Sequence, residues 1–178
     1  MTQLATSPVT LRSATPADAP ALFGLIYELA EYEKLTHEVT GSAEELAAHL
    51  ASHTHPNGSI QRPLVEAILA EVEDNVVGFA LFFNNYSTFL TRSGLYLEDL
   101  FVQPSYRGLG IGKALLSHLG KIALERGYGR VEWSVLDWNE PAIGFYQRMG
   151  ADVLTEWHTC RVTGEAIARL AAHAPTAK

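Results

Sequence analysis

The chain has 178 residues, 47% apolar and 19% charged, enough for one globular domain to bury most of its unfolded surface and too few for a second full domain. No apolar run approaches the about 18 to 20 residues of a membrane span, and the start, MTQLATSPVT, lacks the basic stretch and apolar core of a secretory signal. A cytoplasmic protein with no membrane partner is expected. Lys and Arg total 13 against 20 acidic residues, a formal charge of −7. No basic stripe is interleaved with aromatics, so the expectation is no nucleic acid; a small cationic ligand suits the field better. Cys160 is the single cysteine, so no intrachain disulfide or thiolate cluster can form, and Cys160 is expected to pack. The seven histidines show no paired ligand spacing, and His53 and His55 read as solvated loop residues, so no metal is expected.

Val9 to Ser13 alternates like a short strand, and Thr15-Pro16-Ala17-Asp18 supplies an N-cap, a first-turn proline and an acid. Leu22, Leu25, Ile26 and Leu29 place one face of the following helix in the core, and the segment ends on the polar run Glu31-Tyr32-Glu33-Lys34. Ser42-Ala43-Glu44-Glu45 opens a second helix to about Ala51, followed by a loop from Ser52 to Pro63. Leu64 to Val72 and Val76 to Tyr86 read as an antiparallel hairpin about Glu73-Asp74-Asn75, with Ser87 to Gly94 as its exit loop. Leu95 to Val102 is a strand, Ile111 to Arg126 a helix, Arg130 to Leu136 a strand and Pro141 to Met149 a helix, and the tail holds further strand-like and helical pieces. Trp133 and Trp138 are expected to pack. The order predicts one mixed sheet covered by helices, α/β or α+β, around a single core.

Arg107-Gly108-Leu109-Gly110-Ile111-Gly112-Lys113 lies between a strand and a helix. Glycines there let the backbone approach a ligand, and the amides of a helix start receive phosphate oxygens. A Walker loop fails, since it needs glycine at Arg107 and Ser or Thr at Ala114; a dinucleotide fingerprint fails at Lys113. Three glycines could equally shape a tight turn, but the neighbouring Arg107 favours an anion.

This loop resembles the pyrophosphate pattern of the GNAT superfamily of acyl-CoA-dependent N-acetyltransferases. Leu95-Tyr96-Leu97-Glu98-Asp99-Leu100-Phe101-Val102 before it, and Leu136 to Pro141 with Phe145-Tyr146 after it, are similar to the branch of spermidine/spermine (diamine) and thialysine N-acetyltransferases. Glu28 to Glu33 also resembles that branch, and the likeness runs from Leu25 to about Ala171. It implies a single GNAT domain over 1–178, with a central mixed, mostly antiparallel twisted sheet flanked by helices. The co-substrate it implies is acetyl-CoA, with no metal.

Attack on a thioester demands a neutral nitrogen, whereas an amine of pKa about 10.4 is almost wholly protonated at pH 7. A carboxylate can first hold the ammonium and then accept its proton, directly or through water, which makes Glu98 and Asp99 candidates. Adjacent strand residues face opposite ways, so only one enters a pocket unless a bulge re-aims the other. The resemblance implies such a bulge, with Glu98 touching the amine. It also implies Tyr146 as the acid that protonates the leaving thiolate. Leu100, Phe101 and Val102 would lie along the pantetheine arm, and Arg107, Gly108, Leu109, Gly110, Ile111, Gly112 and Lys113 would hold the diphosphate. Asn139, Pro141 and Ala142 would touch CoA, and Asn139 also reads as a plain N-cap. Tyr32, Glu33, Asp99, Glu132, Trp133 and Ser134 would line the amine pocket, and Phe145 packs. A homodimer is implied as well.

The diamine enzymes carry Asp-Pro-Trp before the Leu-Glu-Asp strand, where this chain has Tyr86-Ser87-Thr88-Phe89 and one extra residue. One acid fewer weakens attraction for a polycation, and Tyr-Ser-Thr-aromatic with Val135 to Asn139 is closer to the thialysine side. The expected reaction is acetyl transfer to a thialysine- or lysine-like amino acid or short amine. The alternatives are a polyamine acceptor, a protein or peptide acceptor, and a non-catalytic acyl-CoA-binding module.

Overall fold

A computed structural model describes residues 8–54 and 58–175. His55 lies outside the described residues, and so does the side chain of His53. The chain divides into two compact units, Met1–Ser134 and Val135–Lys178.

The first unit is built on a five-stranded sheet in the order β1-β4-β5-β6-β7, from Thr10–Ser13, Glu66–Val72, Asn75–Ser87, Arg92–Val102 and Val131–Trp133. Every pairing is antiparallel except the parallel β6–β7. The expected 52–63 loop also carries two two-residue strands, β2 (His53–Thr54) and β3 (Ile60–Gln61). Thr15 and Asp18 bond as the N-terminal signal required, with Thr15 N and Oγ1 donating to Asp18 Oδ2 at 2.7 and 2.8 Å. A single 3₁₀ turn, Pro16–Asp18, then leads into α1 (Ala19–Glu33). Ser42 Oγ accepts from Glu45 N at 3.2 Å and opens α2 (Ala43–Leu50).

The β4–β5 turn has left-handed φ at Glu73 and Asp74, the geometry that keeps the twist of a two-residue hairpin. The exit loop is shorter than expected: pairing runs through Tyr86↔Ser93 and Ser87↔Arg92, leaving 88–91 as the turn. Leu22, Leu25, Leu50, Leu69, Phe79, Leu81 and Phe101 form a buried core that joins α1 and α2 to one sheet face. Against the other face lies α3 (Ile111–Glu125), where Leu115, Leu119, Phe82, Leu95 and Leu97 are buried.

The second unit holds α4 (Glu140–Arg148) and α5 (Glu165–Ala171). Two expectations are corrected here. The Arg130–Leu136 strand is confined to Val131–Trp133, and no strand follows it among the described residues. The tail reads in part as strand-like, but a strand needs a neighbour for its N–H and C=O groups, and 151–163 has no strand partner among the described residues. Val153, Leu154, Trp157 and Val162 are exposed, as are Trp138 and Cys160, which were expected to pack.

Gly78 sits where an added Cβ would lie 2.8 Å from Phe101 O, a backbone atom that cannot move aside without distorting the β5–β6 ladder. Gly78→Ala is expected to destabilise the protein by about 1 to 3 kcal/mol, read as a fall in Tm of several degrees; an unchanged Tm would mean the sheet yields there.

Candidate active site

The geometry starts from one irregularity. Leu81 pairs with Asp99 but Phe82 pairs with Leu97, so Glu98 is an extra residue in β6. Strand side chains alternate between faces, and the bulge resets that alternation. Leu95 and Leu97 point to the α3 face, while Asp99 and Phe101 pair with Leu81 and Phe79 on the α1 face. Without the extra residue Asp99 would lie beside α3.

Glu98 is exposed at the bulge and Asp99 is half-buried. Burial pushes the Asp99 carboxyl up to about 6, with help from the charges of Glu98 and Glu33. Glu33, the last residue of α1, is also raised by burial. Three of the predicted residues therefore form one acidic cluster.

The backbone is redirected too. Leu95 N donates to Arg130 O on the β7 side, and Gln103 N donates to Val77 O on the β5 side. By alternation, Leu100 and Val102 turn their N–H and C=O groups away from β5, on the side where β7 has already ended at Trp133. This open ladder has room for an added strand-like chain.

Past β6, Gly108 and Gly110 adopt φ of 78° and 82°, and a Cβ at either would meet open space. Gly110 caps α3 without a side chain, and the first intrahelical bond is Ala114 N to Gly110 O. The amides of Ile111, Gly112 and Lys113 thus start the helix with no intrahelical acceptor. This cradle fits a diphosphate. Arg107 is tied into the fold: its Nε donates to Val102 O at 2.9 Å, and its guanidinium carbon lies 4.6 Å from the Tyr32 ring centre and 5.6 Å from that of Phe101. Tyr32 therefore faces the glycine turn as well as neighbouring Glu33. Sequence reading missed this link, because residues 75 positions apart carry no local signal of it.

The α1 face continues toward β7. Phe83 and Tyr96 rings lie 5.2 Å apart, and Tyr96 Oη bonds Ser134 Oγ at 2.9 Å. Glu132, opposite Tyr96, accepts from Asn85 Nδ2 at 2.8 Å and lies 2.7 Å from Arg130 Nε. Trp133 pairs with Leu97 and so belongs to the other face. Phe83, Asn85, Tyr96 and Arg130 were not singled out from sequence.

In the second unit Asn139 Oδ1 accepts from Ala142 N at 3.4 Å, and Pro141 stands in the first turn of α4. Tyr146 follows on the same helix, its ring 5.3 Å from that of Phe145. Among the described residues no three His, Cys, Asp or Glu side chains are placed together to hold a metal ion, and no helix is long and apolar enough to cross a membrane.

A glycine turn opening a long helix, beside a strand whose parallel partner ends early, is the arrangement expected of an acyl-CoA-dependent acyltransferase. Residues 26–151 match the acetyltransferase (GNAT) family, and the chain belongs to it as an N-acetyltransferase. It is 38% identical to L-ornithine N5-acetyltransferase NATA1 of Arabidopsis thaliana, over 88% of this chain and 85% of that one. It is also 38% identical to the thialysine N-epsilon-acetyltransferase of Bos taurus, over 92% and 97%. Among solved structures, the integron cassette protein VCH_CASS6 of V. cholerae superposes with a TM-score of 0.72 at 30% identity, over 92% and 97%.

Because folded Asp99 titrates at about 6, above an unfolded aspartate near ~3.9, the folded state binds the extra proton between those values. Stability contributed by the protonated form is full below about pH 4 and is lost as pH rises through about 6. Asp99→Asn is therefore expected to stabilise the protein by about 1 to 3 kcal/mol at pH 8 and hardly at all at pH 4. Urea denaturation at both pH values checks this, and an equal effect at each would refute the buried carboxylate.

Proposed function

We propose that the protein transfers the acetyl group of acetyl-CoA to the primary amine of a small basic acceptor, a thialysine- or lysine-like amino acid or a short amine, by direct attack in a ternary complex. The observation that carries this reading is the cluster of Glu33, Glu98 and Asp99, in which Asp99 is pushed up to about 6. Clustered carboxylates repel one another, so a cation entering among them relieves a strain that the free protein bears. The names of the ornithine and thialysine relatives support an amino-acid acceptor.

In this reading Glu98 binds the ammonium and, through water, removes its proton with Asp99 beside it. An amine of pKa about 10.4 has only about 0.04% neutral form at pH 7, so deprotonation within the pocket must accompany attack. Acetyl-CoA supplies the activated thioester. The amides of Gly108 to Lys113, with Arg107, hold its diphosphate, and Leu100 and Val102 pair with the pantetheine arm along the open side of β6. Phe101 lies beneath that arm, Asn139, Pro141 and Ala142 touch CoA, and Tyr146 donates the proton that the departing thiolate needs. A phenol near ~10 gives its proton to a thiolate of ~8.5 at modest cost when the two are hydrogen-bonded. Tyr32, Glu132 and Ser134 complete the wall of the amine pocket, whereas Trp133, expected there from the resemblance, pairs with Leu97 on the opposite face and is left out of it.

The family match crosses from the first unit into the second, which supports one GNAT domain over 1–178. The exposed Val153, Leu154, Trp157 and Val162, in a segment without a sheet partner, support a homodimer in which a second copy covers them. A cytoplasmic location suits an enzyme that draws on acetyl-CoA.

Release of free thiol from acetyl-CoA, followed with thialysine, lysine, ornithine, putrescine, spermidine and a lysine peptide, is expected to rank the free amino acids first in kcat/KM. A polyamine at the head would mean that three acids suffice for a polycation, and CoA binding without turnover would leave a binding module. Tyr146→Phe is expected to lower kcat by about 100-fold or more with little change in KM; unaltered turnover would remove the acid role. Sedimentation should return a dimer at assay concentration, and a lone monomer would end that proposal.

A further inference from the structure

The sheet face that carries Asp99 has a second polar group at its far end, which the transfer step does not use. Glu132 receives Asn85 Nδ2 at 2.8 Å and approaches Arg130 Nε at 2.7 Å, both through Oε2. The second contact is one of charge, since Arg130 Nε is buried without an aligned hydrogen-bond partner, and Asn85 Oδ1 is likewise buried and unpaired. Among the described residues Arg130 also reaches Tyr86 O, at 3.5 Å. The guanidinium is thus held loosely, and the Arg130 and Glu132 side chains keep about a third of their surface exposed, at 35% and 34%.

The register places this group. Asp99 is level with Leu81, Tyr96 and Glu132 with Phe83, and Gly94 with Asn85. A Cβ on Gly94 would touch both Asn85 and Arg130 Cγ, so Arg130 shares this face and level. Two residues along β5 advance about 7 Å and four about 13 Å. Between the ends lies the Phe83–Tyr96 ring pair, its Tyr96 hydroxyl turned to Ser134. The row therefore runs from uncompensated negative charge, over an aromatic floor, to an ion pair of both signs.

A polyamine presents a second cation where this row offers a carboxylate already neutralised by Arg130. A basic α-amino acid presents an ammonium and a carboxylate on one carbon, and so matches the pair sign for sign. Its extended chain, with a hydrogen-bond contact at each end, is of the same order as the row, whose ends lie about 13 Å apart along β5.

We propose that Arg130 and Glu132 are the acceptor-specificity residues, reading the α-carboxylate and α-ammonium of a basic amino acid whose side-chain amine lies at Glu98 and Asp99. This rests on the acetyl-transfer reading above and gives its acceptor a second anchor. Arg130 touches the carboxylate, while Asn85 acts through Glu132 as a positioning residue.

The test compares lysine with cadaverine, and ornithine with putrescine, each pair differing only by the carboxylate. The wild-type enzyme is expected to favour the amino acid of each pair. In Arg130→Gln the kcat/KM ratio of lysine to cadaverine should fall by about 10- to 100-fold, through the KM for lysine. Cadaverine itself should be used as well as before or better, because Glu132 is released from its counter-charge. Arg130→Lys should restore part of the ratio. Equal losses for both acceptors would make Arg130 merely structural and overturn the proposal, and so would a wild-type preference for the diamines. Calorimetric binding of lysine and cadaverine to wild type and Arg130→Gln reads the same discrimination without turnover. If no amine is acetylated yet lysine binding depends on Arg130, the transfer reading fails and the amino-acid subsite stands.

Discussion

A β-sheet has no natural way to send two adjacent side chains into one pocket, since each peptide turns its residue to the opposite face. The extra residue at Glu98 removes that restriction. The α3 face of β6 is apolar up to Leu97, and an unbulged strand would drive Asp99 into it beside Leu95 and Leu97. With the phase reset, Asp99 turns toward the end of α1 and meets Glu33 and Glu98. The same reset reverses the backbone, so that Leu100 and Val102 direct their polar groups to the side that β7 vacates after Trp133. One inserted residue thus arranges the acids and the open ladder together.

The cost of that arrangement is carried by the rest of the first unit. A carboxyl raised to about 6 beside two other acids is held in place by surroundings that do not depend on it. Leu22, Leu25, Phe79, Leu81 and Phe101 pack α1 to the sheet on one side of it. At the rim, Arg126 grips Glu66 through two hydrogen bonds of 2.7 and 2.6 Å, and Arg12 joins Asp18 and Glu71. Partners at such distances hold the Asp18 carboxyl well below the usual carboxylate range. The rim acids are held by countercharges, whereas Asp99 by β6 is raised by burial and by its acidic neighbours.

Local signals carried much of this into the sequence. Caps at Thr15 and Ser42, the hairpin about Glu73 and the β-branched and aromatic runs of β4 and β5 are decided by neighbours within a few residues, and they were legible. Glu98 and Asp99 stand out in the sequence as candidate acids, and the glycine turn as a candidate anion cradle, because each is contiguous. The bulge was readable only through resemblance, since nothing in Leu97-Glu98-Asp99-Leu100 states which residue is extra until β5 supplies the register. Arg107 on Tyr32, and Asn85 with Arg130 about Glu132, join distant parts of the chain and have no local signature. The strands expected beyond Trp133 show the converse. The tail reads in part as strand-like, but a strand exists only when a second backbone completes its ladder.

Those long-range contacts bear on acceptor choice more than the contiguous motifs do. A glycine turn and an open β6 edge suit any acyl-CoA and say little of the amine. Glu33, Glu98 and Asp99 require a cation and do not count how many the acceptor carries. Discrimination has to arise farther along the face, where the acceptor's other end rests, and there the chain sets Arg130 against Glu132 at 2.7 Å. A compensated pair repels neither sign outright, but it withdraws the free negative charge that would reward a second ammonium, and it offers a guanidinium to a carboxylate. Selectivity between amino acids and polyamines can therefore turn on one cation at the edge of β7, with the reacting groups unchanged.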